Sequence, residues 1–446
     1  MKVSKKCKRE EKLMGIMWDL IEHVQLPKVV KVRQNFDETR LENVELAVRE
    51  QFLKSEISSK IKPGMSIALA VGSRGVALIA DITKAVASEV RKLGAEPFIV
   101  PAMGSHGGAT AEGQKEVLEQ LGVTEKYVGC KIRSSMEVYD IGSFKIDETG
   151  DEVHVYFDKN AMDSDGVIPI VRVKPHTCFR APIESGLCKM LTIGLGKQKG
   201  ANACHQRTFK YMYEMITKSA RMKIETGKIL FGVASVENAY DKVYTIQVVQ
   251  AEHFLEADKE LLELARSKMP KILFNPIDVL VLRRSGKDVS GDGYDPNVVG
   301  KPCSQFVPNN DPYVNVAGIL DLTDATHGNS SGIGTVEVIT KRLYDKIDFR
   351  AMYANAITTT GLDIAKVPMV MENDKEAIMT LVGAANASSF EETRMVIITD
   401  SLHVSEFYIS ESMILDAKKD SRIEILSEPF EIPFDEKGTL LLSLQQ

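Results

Sequence analysis

The sequence predicts an α/β protein of two domains with mainly parallel sheets. Its 446 residues are enough for two domains, and short apolar runs alternate with stretches of helical periodicity. Hydrophobic residues make up 44 % of the chain and charged residues 26 %, as in ordinary folded proteins. We place the domains at 1–272 and 273–446, with the last residues either staying in the second domain or returning to the first. The active site is expected in the cleft between them.

Strand and helix patterns alternate along both predicted domains. Apolar runs of strand length occupy 65–71, 97–100, 166–173, 277–282, 316–322 and 395–399. Helical spacing of apolar residues occupies 82–93, 110–121, 251–269, 334–347 and 374–385. Polar and Gly-rich turns follow several of the strands, and the carboxyl edge of a parallel sheet is where such folds bind ligands. We therefore expect the functional residues at the strand ends.

Charge, apolar segments and cysteines exclude several classes of protein. Lys and Arg number 56 against 62 Asp and Glu, a net charge of −6, so we expect no nucleic-acid partner. No apolar segment has the length of a signal peptide or a membrane helix, which predicts a cytoplasmic protein with no membrane partner. The six cysteines form no C-x-x-C pair, so neither structural disulfides nor a zinc site is expected.

Three histidines and an arginine lie in Gly- or Pro-marked turns near predicted strand ends. His106, His176 and His205 carry imidazoles, which exchange protons near neutral pH or bind metals. Each one alone could be an ordinary loop residue, but together they predict a single site. Arg74, between two glycines, suits a carboxylate or phosphate, with a surface salt bridge as the alternative.

Five short motifs then follow one another in a fixed order. They are Gly72-Ser73-Arg74, Gly104-Ser105-His106, Lys174-x-His176, Gly186-x-x-Lys189 with Gly194 beyond it, and His205, sixteen residues after the lysine. This series resembles that of the nickel-pincer-nucleotide-dependent lactate racemase family. The resemblance extends over most of the chain and is strongest between about 65 and 210.

The resemblance implies a bound cofactor, the nickel-pincer nucleotide (Ni pyridinium-3-thioamide-5-thiocarboxylic acid mononucleotide). Lys189 would hold it covalently, and Gly72, Ser73 and Gly186 would lie against it. His205 would complete a square-planar nickel site. Enzymes that synthesise this cofactor would then be partners during maturation. The neighbouring amines Lys197 and Lys199 are the alternative attachment points.

The resemblance also implies an isomerase that racemises or epimerises a small 2-hydroxyacid. His106 and His176 would be the acid/base residues on opposite faces of the substrate carbon, because inversion through a planar keto acid needs a base on each face. Arg74 would bind the carboxylate of the substrate. In the second domain, Tyr294 and Lys301 are the candidate substrate contacts, although the lactate-binding motif itself has no clean counterpart.

Other interpretations remain open at the level of sequence. The same scaffold could serve a metal- or nucleotide-dependent oxidoreductase of a hydroxy or keto acid, or a protein that binds an anion without turnover. The loops 285–288 and 324–332 are candidates for substrate specificity or ordinary connections. Cys188 and Cys204 are interpreted as small buried residues in preference to soft metal ligands. The particular hydroxyacid and the oligomeric state do not follow from the sequence.

Overall fold

The structure is a computed structural model that describes residue 15 and residues 18–72, 76–207, 209–304, 306–307, 311–359 and 361–443. Its strands are β1 Val29–Gln34, β2 Ser66–Val71, β3 Glu96–Pro101, β4 Val138–Lys145, β5 Glu152–Asp158, β6 Gly166–Arg172, β7 Phe231–Glu237, β8 Val243–Gln250, β9 Ile277–Leu282, β10 Val314–Ile319, β11 Val338–Thr340, β12 Met369–Met371, β13 Met395–Ile398, β14 Glu406–Ser410 and β15 Ile423–Ile425. Arg74 and Ser73 lie outside the described residues.

Helices connect most of these strands. Their bounds are Trp18–Ile21, Val44–Phe52, Ser55–Ser58, Ile79–Lys92, Ala111–Gln120, Glu125–Val128, Lys159–Met162, Leu187–Lys189, Lys197–His205, Met212–Glu225, Phe254–Lys268, Pro296–Val299, Lys341–Asp345, Phe349–Thr359, Asp374–Ala384 and Ile414–Lys419. A π-helical turn occupies Met190–Gly194. Within the described ranges, no helix combines the length and the hydrophobicity needed to cross a lipid bilayer.

The chain divides into two compact units. The central unit is Asp37–Met269, and the terminal unit combines the described residues up to Phe36 with those from Pro270 onward. This differs from the predicted single boundary at 272/273, because β1 pairs antiparallel with β14 and β15. The chain end also stays in the terminal unit, where Leu442 accepts a hydrogen bond from Arg283.

The central unit is built on a five-stranded sheet in the order β3-β2-β6-β7-β8. The first four strands of that order are parallel, and β8 is antiparallel to β7. Ile67, Leu69 and Val71 of β2 are fully buried and share a core with the helix Ile79–Lys92. Burial of each such side chain contributes about 2 kcal/mol, so β2 is a rigid support for the turn that follows it.

The terminal unit holds an eight-stranded sheet in the order β12-β11-β10-β9-β13-β14-β1-β15. Its strands are parallel from β12 to β13 and antiparallel from β13 to β15. The predicted fold class, α/β with mainly parallel sheets, is thereby confirmed. The predicted helix at 334–347 is wrong, because Val338–Thr340 is a buried parallel strand and the helix that follows spans only Lys341–Asp345.

Candidate active site

The carboxyl ends of β2, β3 and β6 lie side by side at one edge of the central sheet. Val71 is in register with Pro101 of β3 and with Ile170 of β6. Gly72, the loop that leads to His106, and the segment that leads to His176 therefore leave the sheet side by side. The carboxyl edge of a parallel sheet is where such folds bind ligands, and the roles of these residues stay predictions.

The segment after His176 folds into a broken helix. It runs from Leu187–Lys189 through the π-helical turn Met190–Gly194 to the helix Lys197–His205. A Cβ added to Gly72 would lie 3.1 Å from Met190 Cε, so the end of β2 packs against the residue after Lys189. The amide of Gly104 donates a hydrogen bond of 3.3 Å to the carbonyl of Gly194. Two of the strand-end loops are thus fixed to the turn that follows Lys189.

Asp258 holds the first turn of this broken helix. It lies in the helix Phe254–Lys268, is fully buried, and accepts the backbone N–H groups of Leu187 and Cys188, both at 2.8 Å. A carboxylate at a helix start satisfies donors that have no partner within the helix. Burial nevertheless raises the pKa of Asp258 to about 7, against the opposing effect of the two backbone bonds. The turn that carries Lys189 therefore depends on one buried acidic group.

An aromatic pair joins three of the predicted site residues. The rings of Phe179 and Phe209 stack with centroids 5.8 Å apart. The ring of His176 lies 4.6 Å from Phe179 and 5.8 Å from Phe209, and His205 lies 6.3 Å from Phe209. The Nζ atom of Lys189 is 5.4 Å from the Phe179 centroid. His176, Lys189 and His205 consequently surround one apolar surface.

His205 is kept neutral by its surroundings. Desolvation lowers the pKa of its imidazole to about 4, and the positive charge of Lys189 acts in the same direction. A neutral imidazole is the form that binds a metal. Burial raises the pKa of the neighbouring Cys204 thiol to about 12 and that of Cys188 well above its usual value. Both thiols stay protonated near neutral pH, as expected for buried packing residues.

A buried carboxylate also shapes the loop of His176. Glu184 is fully buried and accepts hydrogen bonds from the His176 amide at 2.8 Å, the Ala181 amide at 3.0 Å and Arg266 Nη2 at 2.6 Å. The Cys178 amide donates to His176 Nδ1 at 3.0 Å. This bond makes Nδ1 the acceptor and assigns the proton of the neutral ring to Nε2.

The loop of His106 is connected to the same broken helix through Gln114. The Gln114 Nε2 atom donates to the carbonyls of Gly104 at 2.8 Å and His106 at 3.3 Å. Its Oε1 atom accepts from Lys197 Nζ at 2.9 Å. The side chain of His106 is exposed. The helix Lys197–His205 therefore supports the backbone of His106 through Gln114. His106 lies in the loop beside the cluster formed by His176, Lys189 and His205.

The two alternative amines differ sharply from Lys189. Lys197 is fully buried, and its ammonium contacts the Pro101 carbonyl, Gln114 Oε1 and, at 3.2 Å, Asp158 Oδ2. Three acceptors around one buried ammonium indicate that Lys197 has a structural role. Lys199 is exposed and lies 5.9 Å from the Tyr156 ring. Neither amine shares the aromatic surface occupied by Lys189.

Tyr294 and Lys301 belong to the terminal unit. Tyr294 is fully buried, and its hydroxyl bonds to Thr335 Oγ1 at 2.7 Å and to the Pro302 carbonyl at 3.3 Å. Lys301 is also buried and reaches Glu337 Oε1 at 2.7 Å. These contacts stabilise the terminal unit itself, and the predicted substrate contacts of both residues stay predictions.

Asp258 and Glu184 are buried acids of the candidate site that the sequence did not predict. Asp258 falls in a stretch whose many acids indicate a solvated helix, and only its position on the apolar face, four residues after Phe254 and three before Leu261, marks it as buried. Glu184 lies between Ile183 and Ser185 in a segment without periodicity. No local pattern marks it.

Several solved structures resemble this fold. The lactate racemase apoprotein from Thermoanaerobacterium thermosaccharolyticum aligns with a TM-score of 0.50 and 12 % identity, over 84 % of this chain and 99 % of that chain. A Thermotoga maritima protein aligns with a TM-score of 0.49 and 13 % identity, over 72 % of this chain and 82 % of that chain. No family model and no curated protein sequence matches the chain. The chain is an α/β protein, and its fold is like that of the lactate racemase apoprotein.

Proposed function

We propose that this protein is a 2-hydroxyacid racemase or epimerase that uses a lysine-tethered nickel-pincer nucleotide. The observation that carries the proposal is the grouping of His176, Lys189 and His205 around the Phe179–Phe209 ring pair. Each of the three has a separate role in the predicted mechanism. The fold shared with a lactate racemase apoprotein over 99 % of that chain supports the same assignment.

The residues of the cluster fit the proposed cofactor. His205 offers a neutral imidazole, and the two neighbouring cysteines keep their protons and do not compete for the metal. Lys189 would hold the group through its amine, and His205 would ligate nickel, for which square-planar coordination with nitrogen donors is typical. When bound, the nucleotide supplies a carbon that accepts and returns a hydride.

The histidines handle the hydroxyl proton of the substrate. In each direction one histidine starts as a neutral base and the other as an imidazolium acid, and the two exchange these states on turnover. Because Cys178 donates to His176 Nδ1, the neutral His176 ring carries its proton on Nε2. Both the acid and the base role through Nε2 need a proton on Nδ1, so the Cys178–His176 bond opens when His176 takes part. His106 is the partner in both directions. The Glu184 carboxylate keeps the His176 backbone in place during this exchange.

The test of the cofactor assignment is intact-mass and peptide-mass spectrometry with nickel analysis. The chain is produced together with the cofactor-synthesis enzymes, beside a known lactate racemase as a loading control. We expect added mass on the peptide that contains Lys189 and nickel in the purified protein. Lys189→Arg should lose both, whereas His205→Asn should keep the added mass and lose nickel. An unmodified chain beside a loaded control would refute the proposal.

The test of the reaction is a panel of single-enantiomer 2-hydroxyacids followed by chiral chromatography. The loaded enzyme should form the opposite enantiomer of at least one compound. His106→Asn and His176→Asn should each lower that rate at least about 100-fold, the usual contribution of an acid/base residue. Reduction of a keto acid by a nicotinamide cofactor, without interconversion of enantiomers, would instead identify an oxidoreductase.

A further inference from the structure

A second group of charged side chains lies at the carboxyl edge of the terminal unit's sheet. Strands β9 and β13 are parallel neighbours with Leu282 in register with Ile398, so Arg284 and Asp400 leave the sheet side by side. Asp400 is fully buried. Its Oδ2 atom accepts Arg284 Nε at 2.8 Å, and its Oδ1 atom accepts His403 Nδ1 at 2.7 Å. One buried carboxylate thus holds a guanidinium and an imidazole together.

This geometry determines which atoms remain available for a ligand. Arg284 uses Nε and His403 uses Nδ1, while the described part of the chain provides no hydrogen bond to the Nη atoms of Arg284 or to Nε2 of His403. The side chains are 36 % and 32 % exposed, respectively. Because Nδ1–H donates to Asp400, the neutral His403 ring presents Nε2 as an acceptor.

The charges around this group are balanced. Arg283, Arg342 and Lys346 lie along the same edge, and Arg342 pairs with Asp321 at 3.0 Å and Asp374 at 2.9 Å. Together with Arg284, Asp400 and Asp324, which lies 3.9 Å from Lys346, these groups comprise four cations and four carboxylates. The attraction for an anion therefore comes from Arg284 itself, because paired Nη donors bind carboxylates and phosphates through two parallel hydrogen bonds.

We propose that Arg284 and His403, positioned by Asp400, form a binding site for a small anion that also carries a hydroxyl hydrogen. The Nη atoms of Arg284 bind the anionic oxygens, and His403 Nε2 accepts the hydroxyl hydrogen. A hydroxy acid and a protonated phosphate both have this chemistry. The site requires neither Lys189 nor a nickel cofactor, and it stands independently of the proposed racemase activity.

The test is calorimetric titration of the purified full chain with glycolate, acetate and inorganic phosphate. Acetate has the carboxylate of glycolate but lacks its hydroxyl, so glycolate should bind more tightly. Tighter binding of glycolate supports a hydroxy acid as the natural ligand, and binding of phosphate supports a phosphorylated one. Failure of both glycolate and phosphate to bind would overturn the proposal.

Variants locate the binding. Arg284→Gln removes the donors, and His403→Asn keeps a donor toward Asp400 while removing Nε2; each should weaken binding by about tenfold or more. Arg350→Gln, at an exposed arginine of the same unit, should leave affinity unchanged. Arg284→Lys, which keeps the charge near Asp400, serves if the glutamine variant does not fold, and it should bind several-fold more weakly. Unchanged affinity in the folded Arg284 and His403 variants would overturn the proposal.

Discussion

Gly186 and Asp258 are in direct contact, and the carboxylate of Asp258 occupies the space where any other residue at 186 would place its Cβ. The φ and ψ angles of Gly186 are +96° and −154°, a conformation that only glycine adopts readily. Glycine is therefore required at position 186 for two reasons: the backbone angles and the close approach of the carboxylate. Both features stabilise the turn that carries Lys189.

Gly186→Ala should destabilise the protein by about 3 kcal/mol, because backbone strain and overlap with Asp258 add together. The measurement is the free energy of unfolding in urea. Gly227→Ala is the matched control, since Gly227 also has a positive φ of 74° but no atom within 4 Å of an added Cβ. Its cost should be about 1 kcal/mol from strain alone. Equal losses of unfolding free energy at the two positions would contradict the contact between Gly186 and Asp258.

Asp258 should make stability dependent on pH. Its pKa in the folded protein is about 7, above the value near 3.9 of an unfolded aspartate. As the pH rises from about 4 to about 7, the unfolded chain loses this proton first, so stability falls, by up to about 4 kcal/mol. Urea unfolding of the wild type and Asp258→Asn at about pH 5 and about pH 7.5 isolates this effect. The loss of unfolding free energy in the variant, relative to wild type, should be larger at the lower pH. A loss that is the same at both pH values would contradict the raised pKa of Asp258.

Glu184→Gln should destabilise the protein by about 2 kcal/mol, because the amide cannot replace both carboxylate oxygens that hold the His176 loop and Arg266. Glu263→Gln is the control, since Glu263 pairs with the same arginine but is exposed. Its effect should stay within about 0.5 kcal/mol. Thermal unfolding measures both, and comparable losses in the two variants would show that Arg266 pairing alone matters.

Lys197→Met should destabilise the protein by at least about 3 kcal/mol, because it leaves the buried Asp158 without its cation. Lys199→Met removes an exposed side chain and should change stability by less than about 0.5 kcal/mol. Chemical denaturation compares the two. If Lys197→Met leaves the free energy of unfolding unchanged, the amine of Lys197 has no structural role. Lys197 would then again be a candidate for cofactor attachment.

Much of the sheet structure could be predicted because buried parallel strands are continuous apolar runs. The predicted strand 277–282 coincides with β9, and the predicted N-cap Thr110 accepts a hydrogen bond from the Gly113 amide at 3.0 Å. The predicted helix at 334–347 was wrong because Val338 and Ile339 suit a helix as well as a strand in a short apolar run. Pairing of β1 with β14 joins residues 373 to 381 positions apart, and no local pattern reveals such a partner.

The candidate site could be predicted in part. The sequence singles out His176, Lys189 and His205, and the structure brings these three side chains to one aromatic surface. Their chemical roles stay predictions. The carboxylates that support them were not found, because burial of an acid depends on tertiary packing. Tyr294 shows the reverse case: the sequence predicts a substrate contact, whereas the ring is fully buried in the terminal unit, and that contact stays a prediction.

The position of β1 in the terminal sheet has a consequence for biosynthesis. Strand β1 lies between β14 and β15, so this strand is made more than 370 residues before its neighbours and pairs only after they have left the ribosome. The central unit can fold while synthesis continues, but the terminal sheet cannot be completed before then. A fragment starting at Pro270 would expose the β14 edge that β1 covers, including the backbone of Phe407 and Ile409, and would be prone to aggregation.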